Sequence, residues 1–191
     1  MEIIQITMTN NIVITGPPSS GKSTIINELS VHGYNTIPET AALNIDRMKI
    51  KLNEDESIQD VVDTLDFQTS ITNKQLVAES LNGLHINSTT ILDRSLIDNI
   101  AYRRYFGVPV GQKLKQVVQD RYDKVLFFEP LSFEQSGATY EDSEIEQENL
   151  KHALRSTYEH YESAYDEIHS IPETGIEPRL EMVIDHIEDK V

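Results

Sequence analysis

No cysteine occurs among the 191 residues, so disulfides and thiolate metal sites are excluded, and cysteine usage is neutral about compartment. Positive charge is also scarce. Sixteen Lys and Arg stand against 32 Asp and Glu, giving a formal net charge of −16. A field of that sign repels nucleic acid and anionic lipid surfaces, which disfavours a polynucleotide substrate. An anionic ligand would need a local positive pocket, for which Lys22, Arg94, Arg103 and Arg104 are the candidates. No apolar run approaches membrane-spanning length. Met1–Ile6 lacks a basic n-region and a long apolar h-region, so no secretory signal is expected and the expected location is cytoplasmic. Repeats and linkers are missing too. With 38% hydrophobic and 25% charged residues, the composition is that of a globular chain long enough for one sizeable core. A single domain over residues 1–191 is the expectation.

What is present centres on Gly16-Pro17-Pro18-Ser19-Ser20-Gly21-Lys22-Ser23, followed by Thr24. This fits G-x-x-x-x-G-K-[ST], the phosphate-binding loop. Asn11–Thr15 ahead of it is a β-branched run that reads as a buried strand, and Ser23–Leu29 behind it reads as a helix. Strand, glycine loop and helix form the context that the motif requires. Glycines let backbone N–H groups turn inward around a phosphate tail, and the helix N-terminus adds its dipole. Gly16 to Thr24 are therefore the candidate cradle for a nucleoside triphosphate. Lys22 would reach the β- and γ-phosphates, and Ser23 would place a hydroxyl on Mg²⁺.

Taken in order, residues 1–10 are either an extra strand or a tail. The first helix should run from Gly21 to about Val31 and end at Gly33. Tyr34–Ile37 reads as a second strand. Thr40 to Lys51 looks helical. Ser57 and Asp60 have capping-box spacing and open a long helix that should end near Gly83, with Phe67, Ile71, Ala78 and Leu81 on its apolar face. Thr89–Asp93 reads as a buried strand ending in a carboxylate. A helix then runs through Tyr102 to Gly107, and another from Gly111 to about Arg121. Lys124–Phe128 is the fourth strand. Residues 130–143 are polar and lid-like. Ser143 and Glu146 suggest a second capping box, opening a helix with Leu150, Leu154, Tyr158, Tyr161 and Tyr165 on one face. Ile168–Ile171 is the last strand, and Pro178–Glu188 the last helix. Alternating strands and helices predict a three-layer α/β/α fold around a five-stranded, mainly parallel sheet. In such sheets ligands bind beyond the carboxyl ends of the strands, so Gly16, Glu39, Asp93 and Pro130 should gather along one edge.

Three of the residues expected at that edge suit chemistry. Asp93 closes an apolar strand, where it would hold Mg²⁺ beside Ser23 or else cap the next helix. Arg94 would fork onto a phosphate or a developing phosphoryl charge, or else pair with one of the many acids. Glu39 would accept a proton from an acceptor hydroxyl and hold it in line, or else complement a helix N-terminus. Arg103 and Arg104, one helix away, are either phosphate contacts or a solvated pair. The six histidines have no ligand spacing.

Three stretches together carry a family resemblance: the glycine loop, Pro38-Glu39-Thr40-Ala41, and Leu92-Asp93-Arg94-Ser95-Leu96-Ile97-Asp98-Asn99-Ile100-Ala101-Tyr102. Over about residues 11–188 the chain resembles the AAA_28-type P-loop proteins, a group that includes a nicotinamide-riboside-kinase-like domain. The resemblance implies a nucleoside- and nucleotide-kinase-like P-loop NTPase fold, with ATP or GTP and Mg²⁺ as cofactors. It also implies a small hydroxylated, nucleoside-like acceptor, with Lys22, Glu39, Asp93 and Arg94 as the catalytic set. One departure is plain. Leu131 to Leu150 contains neither arginine nor lysine, where such kinases commonly carry a lid arginine on the transferring phosphoryl group. Either Arg155, Arg103 or Arg104 substitutes, or turnover is slow and the protein is a nucleotide-binding switch. No N-K-x-D guanine signature is found in a suitable loop, which leans toward ATP.

Overall fold

The computed structural model describes residues 10–41, 59–82, 89–132 and 144–189. The expected strand or tail at the N-terminus, most of the helix from Thr40, the capping residues Ser57 and Ser143, and most of the lid-like loop lie outside the described residues.

The sheet forms around Asn11–Thr15 (β1), an apolar, β-branched strand buried on both faces. Thr90–Asp93 (β3) and Tyr122–Phe128 (β4) flank it, and Asn35–Ile37 (β2) and Tyr165–Ile171 (β5) form the edges. The order is β2-β3-β1-β4-β5, and all four pairings are parallel. Ile12 lies opposite Ile91 on one side and Lys124 on the other; Ile14 lies opposite Asp93 and Leu126. From β1 the chain first builds toward β2 and later crosses to β4. The crossover direction therefore reverses at the carboxyl end of β1, where a crevice opens.

Alternation along the strands sorts the core into two layers. Ile12 and Ile14 pack with Ile25, Ile26 and Leu29 of α1 (Lys22–Val31) and with Val183 and Ile187 of the C-terminal helix, Ile176–Ile187. Val13 and Val125 face the opposite layer. There they meet Leu96, Ile97 and Ile100 of the helix Leu96–Tyr105, and Tyr158 of the helix Glu144–His160. The remaining helices are a turn at Gln59–Val62 (α2), then Leu65–Asn82 (α3), and Gln112–Val117 (α5). Leu96–Tyr105 is accordingly α4, Glu144–His160 is α6, and Ile176–Ile187 is α7.

Four local expectations are corrected. The long helix is broken at Asp63-Thr64. The Thr64 hydroxyl donates to the Val61 carbonyl and accepts from Phe67 N, which ends α2 and caps α3. Of the apolar face expected on α3, Phe67 and Ile71 are buried and Ala78 packs on the core, but Leu81 is exposed, because the inward side also carries Gln68, Thr72, Gln75 and Glu79. Position 81 falls about 200° round from Glu79. Tyr165 opens β5 after a 3₁₀ turn at Glu162–Ala164, so it is not part of α6, although its hydroxyl still donates to the Tyr158 carbonyl. The helix after Gly111 stops at Val117, and Asp120 takes a left-handed backbone before β4.

Candidate functional site

β1 delivers the chain into a loop whose backbone explains its glycines. Gly16 has φ +142°, and a Cβ there would come within 2.5 Å of the Phe128 carbonyl. Gly21 has φ +80° and stands at the N-cap of α1. That helix begins with no side-chain cap and no acid in its first turn, so its first N–H groups and its dipole are left for an anion. The Lys22 ammonium is buried. It donates to the Pro17 carbonyl at 2.7 Å and to Ser20 Oγ at 3.0 Å. Burial, and then the neighbouring Arg94, hold its pKa well below that of an ordinary lysine. A bound polyphosphate would supply the missing counter-charge. Ser23 and Thr24 are exposed, whereas Gly16 and Pro17 are buried.

The strand ends converge as the topology requires. Arg94 follows β3 in a left-handed conformation, φ +69°. Its Nε donates to Glu39 Oε1 at 2.8 Å, its Nη1 donates to the Gly16 carbonyl at 3.1 Å, and Nη1 lies 3.5 Å from Asp98 Oδ1. Arg94 and Glu39 are therefore brought together as an ion pair beside the loop. Asp98 is the hidden organiser. It is fully buried and accepts from Thr15 Oγ1 (2.5 Å), from the Tyr158 hydroxyl (2.6 Å), and from the backbone and hydroxyl of Ser95. Ser95 and Asp98 form the capping box of α4. This cluster couples β1, α4 and α6 directly beneath the site.

Asp93 lies at the carboxyl end of β3, nearly buried, and its Oδ1 has no hydrogen-bond partner. Burial, and then Glu39, push its carboxyl pKa up, against the opposing charges of Lys22 and Arg94. The orphaned Asp93 oxygen and the exposed Ser23 hydroxyl are each oxygen donors of the kind a hard divalent ion takes. Among the described residues no group of three or more His, Cys, Asp or Glu could hold a metal.

The glycine loop, Glu39 and Arg94 open onto one cleft of about 990 Å³, whereas Asp93 and Asp98 lie behind its lining. Pro18 to Thr24 form its floor, with Glu39 and Arg94 at one wall. On one side it continues to Leu131, Thr174, Gly175, Ile176 and Arg179. On the other it continues past Glu39 to Phe67, Gln68, Ile71, Asn99, Tyr102 and Phe106. The arginines considered as lid substitutes do not line it. Arg103 is buried and donates to the Pro109 carbonyl and Thr69, so it is not a solvated side chain. Arg104 lies over the Tyr161 ring. Arg155 pairs with Glu129 and Ser170 over the Phe127 ring.

Among the described residues the basic side chains on the cleft are Lys22, Arg94 and Arg179. Arg179, in the first turn of α7, is the functional candidate that sequence reasoning missed. It is 2% exposed and donates to the carbonyls of Ser20 (2.5 Å), Pro172 (2.8 Å) and Glu129 (2.9 Å), tying the phosphate loop to the ends of β4 and β5. Its only sequence signal was a lone cation just after Thr174-Gly175. Asn99 was likewise passed over; its side-chain nitrogen is buried on the cleft without a partner.

Comparison with known proteins bears on the family and the fold. The sequence matches the AAA_28 family, described as AAA domain, over residues 11–179. No match to a curated protein was found. Among solved structures, a deoxyadenosine kinase from M. mycoides with dCMP and dCDP aligns with a TM-score of 0.64 at 18% identity, covering 94% of this chain and 99% of that one. Thymidylate kinase from Candida albicans gives 0.58 at 16% identity, covering 95% and 92%. The NadR protein in complex with NR gives 0.66 at 16% identity; 95% of this chain aligns with 51% of NadR. The fold is that of the P-loop nucleoside and nucleotide kinases.

Proposed function

We propose that this chain, which belongs to the AAA domain family, is a phosphotransferase. It would use ATP, or GTP, with Mg²⁺ to phosphorylate a hydroxyl of a small nucleoside-like metabolite. The observation that carries the reading is the shape of the cleft. It does not stop at the phosphate loop but continues past Glu39 into a recess lined by Phe67, Gln68, Ile71, Asn99, Tyr102 and Phe106. A simple nucleotide switch has no need of such a recess, whereas a kinase must seat an acceptor there. Among solved structures of this fold, a deoxyadenosine kinase holds dCMP and dCDP and NadR holds NR, which supports the acceptor class.

The chemistry follows from the residues. The loop N–H groups and Lys22 would hold the β- and γ-phosphates. Ser23 and Asp93 would hold Mg²⁺, which when bound neutralises charge on the phosphate oxygens. Glu39 would orient the acceptor hydroxyl and take its proton as the oxygen attacks the γ-phosphorus and the bond to the β-phosphate oxygen breaks. Arg94 fixes the Glu39 carboxylate and brings a permanent positive charge close to the reacting group. Positioning and charge stabilisation, rather than covalent catalysis, would supply the rate.

The test is nucleotide turnover with Mg²⁺ from ATP and from GTP, with and without a panel of nucleosides and related metabolites. Acceptor-dependent formation of ADP or GDP is expected. Glu39→Gln should cut transfer by about 10²–10⁴-fold to a small residual rate and leave nucleotide binding within about twofold, whereas Lys22→Ala should weaken both. Tight nucleotide binding with no acceptor-stimulated turnover would instead support the switch reading. That reading is favoured by the arginine-free stretch Leu131–Leu150 and by the commitment of Arg103, Arg104 and Arg155 to partners elsewhere.

A further inference from the structure

The inward stripe of α3 is polar at Gln68, Thr72, Gln75 and Glu79, a spacing that stacks these residues along one face of the helix. At its centre Gln75 is 2% exposed, and its carboxamide has three partners. Nε2 donates to the Arg94 carbonyl at 3.2 Å and to Glu79 Oε1 at 2.9 Å. A carbonyl oxygen can only accept, so the amide orientation is fixed. Oε1 therefore faces the Thr40 hydroxyl, which donates at 2.9 Å. Glu79 is anchored in turn by Arg121 Nε at 2.5 Å and by the Tyr122 hydroxyl at 3.3 Å.

These contacts bracket the Glu39–Arg94 ion pair. Thr40 is the residue after Glu39. The Arg94 carbonyl belongs to a residue in a left-handed backbone, a conformation that persists only where its surroundings hold it. Arg94 N is held by the Ile14 carbonyl at 3.0 Å, and its C=O is held by Gln75. One amide thus grips both halves of the pair from behind, with Glu79 and Arg121 fixing the amide itself. We infer that Gln75 is a positioning residue for the phosphotransfer proposed above, setting the Glu39–Arg94 geometry through Thr40 and the Arg94 backbone without touching a ligand. The inference rests on that functional reading for its kinetic consequence but not for its structural one.

The experiment compares the wild type with Gln75→Leu, which keeps the bulk and removes all three bonds, and with Thr40→Val, which removes a single donor. Acceptor kinetics, nucleotide affinity and hydrogen exchange are measured on each. For Gln75→Leu the expected result is a kcat lower by about tenfold or more, with acceptor KM and nucleotide Kd within about threefold of wild type. Thr40→Val should show the same pattern at smaller amplitude, and it serves if Gln75→Leu folds poorly. Amide exchange should quicken in segments 39–41 and 94–95 while the core of β1 and β4 stays protected. In a Glu39→Gln background, the further effect of Gln75→Leu on residual transfer should shrink to within about twofold, because the two residues act through one element. Wild-type kcat in both variants, or a kcat loss undiminished in the Glu39→Gln background, would overturn the assignment. So would unaltered exchange in the two segments, whatever the activity. If the wild type itself transfers phosphate to no acceptor, the phosphotransferase reading is what fails, and the exchange measurement alone decides on Gln75.

Discussion

Gly16 separates two reasons for needing glycine. Its φ of +142° disfavours any side chain, and a Cβ would also strike the Phe128 carbonyl at 2.5 Å and the Phe128 Cβ at 3.2 Å. Gly33 shares the positive φ, +88°, but has nothing within 4 Å. Gly33→Ala should therefore cost only the backbone strain, about 1 kcal/mol. Gly16→Ala adds a clash between two packed strand ends and should cost about 2–3 kcal/mol more. Chemical denaturation of both variants checks the ordering; equal losses would mean that the β4 end moves aside easily. The same contrast explains what could be read from sequence at this scale. Gly16, Gly21, Lys22 and Ser23 were legible because phosphate chemistry demands those residue types at that spacing. Arg179 was not, since its work is to donate to three carbonyls, and backbone carbonyls leave no trace in a sequence.

At the level of elements, α4 depends on its first turn. Ser95 caps it, accepts from Ile97 N at 3.0 Å, and shares the buried Asp98 carboxylate with Tyr158 and Thr15. Ser95→Ala removes the cap and one donor to a buried acid. The expected loss is about 1–2 kcal/mol, read from urea unfolding, and larger than for an exposed cap. A second element-level prediction concerns α7 against β5, where the His186 and His169 rings lie 4.4 Å apart. Burial, and then His169 and Lys124, depress the His186 pKa below its unfolded value of 6.5, despite Asp185 and Glu167 nearby. The folded state thus binds this proton less readily than the unfolded chain. The His186 contribution is complete above pH 6.5 and is lost as pH falls below it. His186→Gln should flatten the decline of Tm between about pH 7 and pH 5; an unchanged slope would show that other groups govern it.

The strands were legible because apolar, β-branched runs such as Asn11–Thr15 and Thr90–Asp93 are buried on both faces. The face of α3 was legible only in part. Phe67 and Ile71 are buried and Ala78 packs on the core as the hydrophobic pattern expects, but the stripe beside them is carried by Gln68, Thr72, Gln75 and Glu79, and buried polar side chains with local partners are invisible to that pattern. The break at Thr64 was hidden for a related reason. One threonine hydroxyl, rather than a proline or glycine, ends one helix and starts the next.

For the whole molecule the dominant quantity is the net charge of −16. Self-repulsion at that level destabilises the compact state and is screened within a Debye length of about 10 Å at 0.1 M salt. Tm should therefore rise as KCl is increased from about 10 to 200 mM, with no added ligand. A falling Tm would mean that ion pairs such as Arg94–Glu39 and Arg121–Glu79 outweigh the repulsion.

The strand order carries a consequence for how the protein is made. The glycine loop sits at the end of the first described strand, yet that strand takes both its neighbours from residues 90–93 and 122–128. A ribosome therefore releases the glycine loop long before the backbone that must hold it. Until Phe128 has emerged, Gly16 has no carbonyl to pack against and Arg94 can only begin to engage. On the function proposed above, nascent chains halted before that point should bind no nucleotide, and stalled chains of increasing length should gain the ability in one late step rather than gradually.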